Sequence, residues 1–415
     1  MLHRIAIKGF KSLVDVEMHL PRLAVLAGPN AAGKSNVLDV LQMLARAGTQ
    51  RTLAEALSDP IRGFPAEAFT LPDGGLPELL QQPSASFSIE ADLALGASSE
   101  NGRVERARYR MGLTIDPDTG RLSLADEFLS RLSKQWEPKD SPRIEVDQGQ
   151  LVLRRSDRGR PHYEPLGLGH TFLSDARYSG KPYPLFDGVR HELRQWRTYY
   201  LDPSGLMRAP VAPREVADVG VHGEHLAPFL YGLKADQPKT FEAVRRALRS
   251  VIPAISGLDV DLDVKRGTLD IQIEQDGVVF SSRVVSEGTL RVLALCAIAV
   301  TAQSGLIAFE EPENGVQPQR LDRIADLLAS ASTRTGAQLV VTTHSPEFVA
   351  AILRRAHADD ADIGLFSVKR QGKSTVIGQQ KDFGLWEDEA IAELLSEPDD
   401  QDKIAAIVRR GWLDL

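Results

Sequence analysis

Residues 28 to 35 read GPNAAGKS, an octet of the form G-x-x-x-x-G-K-[ST], and few short patterns restrict a fold as tightly. The apolar run LAVLA (residues 23–27) comes first, as in a strand buried on both faces. NVLDVLQMLARA follows, and its Val37, Leu38, Leu41 and Leu44 share one helical face. A strand that turns through glycines into a helix gathers loop amides and a helix N-terminus around an anion. Gly28 and Gly33 permit the curl; Pro29, Asn30, Ala31 and Ala32 complete the loop, and Asn36 lies in the first turn beyond it. Lys34 is expected to reach the β and γ phosphates of a nucleotide, and Ser35 to hold Mg²⁺.

A phosphate loop requires a second strand that brings acids to the metal and to water. LIAFEEPENGVQP (306–318) has that form, with an apolar run ending in Glu310 and Glu311 before a proline. Strand-end acids in an open α/β sheet stand where such sheets bind ligands. Glu310 is the expected metal-side acid and Glu311 the expected general base; an acid pair at a helix start would have the same spacing. Around them, Ser286 reads as the N-cap of an apolar helix through Val300. AQLVVTTHSPEF reads as a buried strand ending at His344, and PENGVQPQR as a turn leading into the helix LDRIADLLAS.

Phosphate loop, serine–glycine helix start, double acid, turn and strand-end histidine occur here in the order of the ATP-binding-cassette (ABC) ATPases. The chain resembles their SMC/RecF-like branch, in particular the stand-alone AAA-type or RecF-like predicted ATPases, relatives of the ATPase part of the overcoming-lysogenisation-defect nucleases. IKGFKSLVDVEMHL and EEPENG carry that closer resemblance, which covers residues 1–46 and 190–350. It implies an α/β fold of the P-loop NTPase, ABC-ATPase head type: a mixed sheet with flanking helices. By the same resemblance, Ser286, Glu287 and Gly288 form the signature that completes an ATP site on a second subunit. Asn314 and Gly315 fall in the D-loop, and His344 is the switch histidine at the γ-phosphate. Two positions depart from the pattern: Glu287 replaces a glycine, and Gln317 stands where relatives carry histidine. RTYYLDPSGLMRAP (197–210) resembles the segment near the Q-loop but contains no glutamine. No nuclease domain like that of the larger relatives is expected in the stretch after His344.

The stretch from Ser35 to Ser286 is far longer than the core fold needs. The expected division is an N-terminal head part over 1–49, an inserted β-rich lobe over 50–185, and a C-terminal head part over 186–415. SFSIEADLAL, RVERARYRMGLTID and RIEVDQGQLVLRR alternate as antiparallel strands, and LADEFLSRL suggests a short helix. No sustained heptad pattern predicts a coiled-coil arm. Beyond the phosphate-binding elements, ADIGLFSVKR and KSTVIGQQ read as a hairpin and EDEAIAELLSE as a closing helix.

Arg106, Arg108 and Arg110 share one strand face; Arg190, Arg194 and Arg197 share one helical face if VRHELRQWR is helical; LRRSDRGR adds four more arginines. Either these clusters are solvated faces balanced by acids, or they contact the phosphates of DNA or RNA. His222 and His225 lack further ligands nearby for a metal.

A net charge of −8 argues against a general nucleic-acid coat. No apolar run reaches the roughly 18 residues of a membrane span, the first residues read as a strand, and the single Cys296 lies in an apolar run. The expectation is a cytoplasmic ATPase using ATP and Mg²⁺, an ATP-dependent homodimer that acts in DNA repair or phage defence through nucleic acid or an effector protein. The alternative is a non-enzymatic ATP-binding scaffold or regulator that holds a nuclease or toxin partner.

Overall fold

A computed structural model describes residues 1–58, 61–96, 104–157, 159–358 and 362–379. Val16 and Met18 alternate with exposed residues, and the strand they form, β2 (Leu13–His19), pairs antiparallel with β1 (Leu2–Phe10). β3 (Leu23–Ala27) is buried along its whole length and runs through the phosphate loop into α1 (Lys34–Ala47). Two short helices follow, α2 (Leu53–Ala56) and α3 (Leu76–Leu79). Next come the long strands β4 (Ala85–Leu95), β5 (Glu105–Asp116) and β6 (Arg121–Leu132), then β7 (Ile144–Asp147), β8 (Gln150–Leu153) and β9 (His162–Pro165).

β4 hydrogen-bonds to β1, so the expected lobe is not a sheet of its own. It extends the N-terminal hairpin into one eight-stranded antiparallel sheet, ordered β2-β1-β4-β5-β6-β7-β8-β9. The helix expected at LADEFLSRL is instead part of β6. Gly112 pairs with Asp126 and Leu113 with Leu124, which leaves Ala125 as an extra residue in a bulge. That bulge turns the alternation into the spacing Leu124, Glu127, which imitates a helical face.

The rest of the chain builds the second sheet. α4 (Pro184–Arg194) leads to β10 (Arg197–Tyr199), α5 (Leu226–Asp236) and α6 (Pro238–Val251). A small sheet of β11 (Ile255–Asp263), β12 (Thr268–Gln275) and β13 (Val278–Ser281) precedes α7 (Glu287–Thr301). Then come β14 (Gly305–Glu310), α8 (Leu321–Thr335), β15 (Ala337–Thr343), α9 (Pro346–Ala358) and the hairpin β16 (Ile363–Gln371) with β17 (Ser374–Gln379). Their order is β10-β14-β15-β3-β16-β17, and all neighbours except the last pair are parallel.

Side-chain alternation divides the core into two layers. Ala24, Leu26, Leu306, Ala308 and Val340 face α1 and the eight-stranded sheet. Val25, Phe309, Leu339 and Val341 face α7, α8 and α9. α1 is therefore enclosed between two sheets, which explains why it buries residues nearly all round and not along a single stripe. The closing helix expected at EDEAIAELLSE lies outside the described residues.

Candidate active site

The parallel order β14-β15-β3 brings three strand ends together: Glu310 ending β14 with Glu311 after it, His344 after β15, and the phosphate loop after β3. The Gly28 amide donates to the Thr343 carbonyl, which ties the loop's first residue to the end of β15. Gly33 caps α1 with a φ of 105°, a left-handed value that favours glycine. A Cβ there would meet Thr375 Oγ1 at 2.1 Å. Thr375 accordingly presses on the outside of the loop: its hydroxyl donates to the Ala32 carbonyl, and Ser12 Oγ joins it to Asn36. The first turn of α1 has neither a capping side chain nor an acid, so its positive end is left for an anion.

Lys34 Nζ donates to the carbonyls of Gly28 (2.7 Å) and Pro29 (2.8 Å). Burial lowers its pKa, while Glu311, Glu313 and Glu310 act to raise it. The expected base, Glu311, is bonded on one oxygen: Oε2 accepts from Asn314 Nδ2 at 2.7 Å, while Oε1 lies 2.8 Å from His344 Nδ1 without a hydrogen bond between them. Glu311 has a φ of 44°, and Ala31 in the loop has 63°. Left-handed backbone at a residue with a side chain costs on the order of 1–3 kcal/mol and collects at functional sites.

Glu310 Oε1 lies 3.3 Å from an arginine that the sequence did not single out, Arg62. Arg62 also pairs with Asp39 of α1 (3.2 Å) and lies over the Tyr200 ring. Asp39 is fully buried and collects Lys11 and the Tyr200 hydroxyl besides. Lys11, Asp39, Arg62 and Tyr200 come from four separate segments with no common spacing. Only the positive φ of Lys11 marks any of them, and that too is invisible in the sequence. Tyr200 begins the loop after β10, so the glutamine-free segment expected near the Q-loop position leaves the sheet beside this network.

Ser286 Oγ caps α7 by accepting from the Thr289 amide, and both Ser286 and Glu287 are exposed. Gly288 is buried, and a Cβ there would meet the Gly315 carbonyl at 2.0 Å. Gly288 thus lets the turn after Glu311 pack directly on α7, where Arg291 also donates to the Glu311 carbonyl at 3.5 Å.

A Mg²⁺ beside a phosphate loop needs only one or two protein oxygens, because phosphates and waters supply the rest. The Ser35 hydroxyl and the Glu310 carboxylate fit that requirement. Among the described residues no group of three or more His, Cys, Asp or Glu could hold a metal, and His222 Nδ1 instead faces the Tyr200 carbonyl.

Most of the clustered arginines that the structure describes pair with acids. Arg108 grips Asp92 with two hydrogen bonds (2.6 and 2.8 Å), Arg110 pairs with Asp126, and Arg106 lies over Trp136. Arg190, Arg194 and Arg197 do not share a helical face, because α4 ends at Arg194. Arg190 is buried on the carbonyls of Leu173, Asp175 and Tyr178, and Arg197 lies in β10, paired with Asp218. Arg154 and Arg155 pair with Glu145 and Asp157, and Arg158 lies outside the described residues.

Residues 23–350 match a family model described as "AAA domain, putative AbiEii toxin, Type IV TA system". The chain belongs to this AAA-domain family. No curated protein matches it. The AAA domain is similar to the solved SmcHead bound to the C-winged helix domain of ScpA, with a TM-score of 0.51, 15% identity, and 91% of this chain and 97% of that one covered. It is also similar to the SMC head domain from Thermotoga maritima (0.41, 14%, 91% and 98%). A third similar structure is the Smc head domain with an extended coiled coil bound to the C-terminal domain of ScpA derived from Pyrococcus furiosus (0.49, 11%, 95% and 99%). The first likeness shows the fold: this AAA domain has the mixed α/β fold of an SMC head domain. Among the described residues no helix is long and apolar enough to cross a membrane.

Proposed function

We propose that the chain binds ATP with Mg²⁺, hydrolyses it, and does so between two copies of itself. One observation carries the reading: a strained glutamate just after β14, bonded by Asn314 and beside His344, lies close enough to the phosphate loop two strands away to bear on the charge of Lys34. Lys34 exchanges the Gly28 and Pro29 carbonyls for phosphate oxygens, which make a stronger, charge-assisted bond. Ser35 and Glu310 would hold Mg²⁺, which would supply positive charge to the phosphates, and Glu310 would then leave its pairing with Arg62. Glu311 takes a proton from water as the water oxygen bonds to the γ-phosphorus and the bond to the ADP oxygen breaks. His344 stands beside it to contact the γ-phosphate.

The second copy supplies Ser286, Glu287 and Gly288. Their exposed helix start suits a phosphate held by the opposing loop, and ADP lacks the group that would bridge the two. The head consists of 1–49 and 186–415, with 50–185 as an insertion that shares its sheet. The cell would use closure of the dimer as a switch in DNA repair or phage defence. The pairing of Arg108 and Arg110 with carboxylates favours an effector protein over nucleic acid at the β5 face. A similar head was solved with a ScpA domain bound, which supports a protein partner for this one. A fully buried Cys296 thiol, its pKa raised by burial, suits a cytoplasmic setting.

Phosphate release and calorimetric ATP affinity, measured on wild type and Glu311→Gln, test the assignment. The variant is expected to bind ATP as wild type does and to release no phosphate above background. Equal turnover in the two proteins removes Glu311 as the base.

A further inference from the structure

Thr343 is a junction. It ends β15, and its carbonyl accepts the Gly28 amide of the phosphate loop. Its hydroxyl accepts the Ser345 amide at 3.0 Å and donates its one proton to Glu313 Oε1 at 2.5 Å. A hydroxyl has a single hydrogen, so the carboxylate that takes it fixes the rotor, and the rotor fixes the turn that carries His344.

Glu313 is only 5% exposed, and its second oxygen is buried without a hydrogen-bond partner. Burial raises its carboxyl pKa to about 7; Glu311 also acts to raise it, while His344 and the Thr343 hydrogen bond act to lower it. Lys34 from α1 and Arg291 from α7 are the other cations facing it. An acid that is merely a hydrogen-bond acceptor for a threonine could be replaced by a neutral group at lower desolvation cost. Its place is informative: it reaches from the turn after the candidate base, behind the site, to the residue between the phosphate loop and the switch histidine.

We infer that Glu313 is a positioning residue for hydrolysis, which through the Thr343 hydroxyl sets the His344–Glu311 pair against the phosphate loop without touching the nucleotide. The inference rests on the ATPase reading above. Fixing the turn aligns the base while leaving Lys34 and the loop amides free to bind, so its loss falls on turnover and spares affinity.

The test compares Glu313→Leu, Thr343→Val, the double variant and Thr343→Ser with wild type, by steady-state phosphate release and calorimetric ATP affinity. Each of the first two is expected to lower kcat at least about tenfold with Kd for ATP unchanged within about twofold. The double variant is expected to be no slower than the worse single one, because both act through one hydrogen bond. Thr343→Ser, which keeps the hydroxyl, retains turnover. If Glu313→Leu does not fold, Thr343→Val against Thr343→Ser decides the matter alone. Wild-type kcat in Thr343→Val, losses that multiply in the double variant, or a parallel loss of ATP affinity would overturn the inference. No turnover by wild type brings down the ATPase reading and this inference together; wild-type turnover matched by the variants brings down the inference only.

Discussion

At Lys34 the chain has placed an ammonium that donates to two backbone carbonyls, with burial working against its charge. Removing it should leave the fold standing and abolish nucleotide binding. Calorimetry with ATP is therefore expected to show no heat of binding for Lys34→Ala, and near wild-type affinity would contradict the loop's role. Gly288 is subject to a different constraint, since a methyl group there would meet a carbonyl 2.0 Å away on the turn after Glu311. Overpacking of this kind costs about 1–3 kcal/mol. Gly288→Ala should lower the melting temperature and, by moving Asn314 off Glu311, reduce phosphate release as well; an unchanged melting temperature would mean that the turn yields without cost. Lys34 could be singled out in the sequence because it belongs to a motif of fixed spacing, and Gly288 only through the resemblance to a family. Arg62 and Asp39 could not, because a lone charged residue in a loop or on a helix has no spacing to reveal what it will face, and Glu313, though inside EEPENG, gives no sign in the sequence that it will turn inward to Thr343.

Among the elements, β5 and β6 show how far periodicity reaches. The alternation in RVERARYRMGLTID identifies β5, yet one extra residue, Ala125, disguises β6 as helical. Pairing between β1 and β4 was equally hidden, because nothing in either strand names its neighbour. The same strands bury Glu127, which accepts the Tyr109 hydroxyl and the amides of Phe172 and Leu173. Burial raises its pKa from 4.5 to about 7. The folded state therefore holds a proton that the unfolded chain releases above about pH 4.5, so this contribution to stability is complete below that pH and lost as pH rises to about 7. The slope is on the order of 1 kcal/mol per pH unit. Denaturant unfolding at pH 5, 6 and 7 should show a decline in wild type that Glu127→Gln flattens. Parallel slopes in the two proteins would show that Glu127 is not the titrating group.

For the whole molecule, two sheets and the helix between them make one site-bearing end, and the start of α7 is exposed where the proposed dimer would set a second copy. Ser286 there caps only its own helix. Light scattering of Glu311→Gln is expected to show a dimer or higher even assembly with ATP and not with ADP. Adding Ser286→Arg should remove that increase and leave single-chain ATP affinity nearly unchanged. Assembly of the double variant on ATP would mean that α7 does not face the partner's nucleotide. A site completed by a second chain also makes turnover depend on how often two chains meet. Phosphate release per chain, measured at saturating ATP over a wide range of protein concentration, is expected to climb from near zero and then level off. A rate per chain that is constant across that range, or absent throughout, would contradict a shared hydrolytic site.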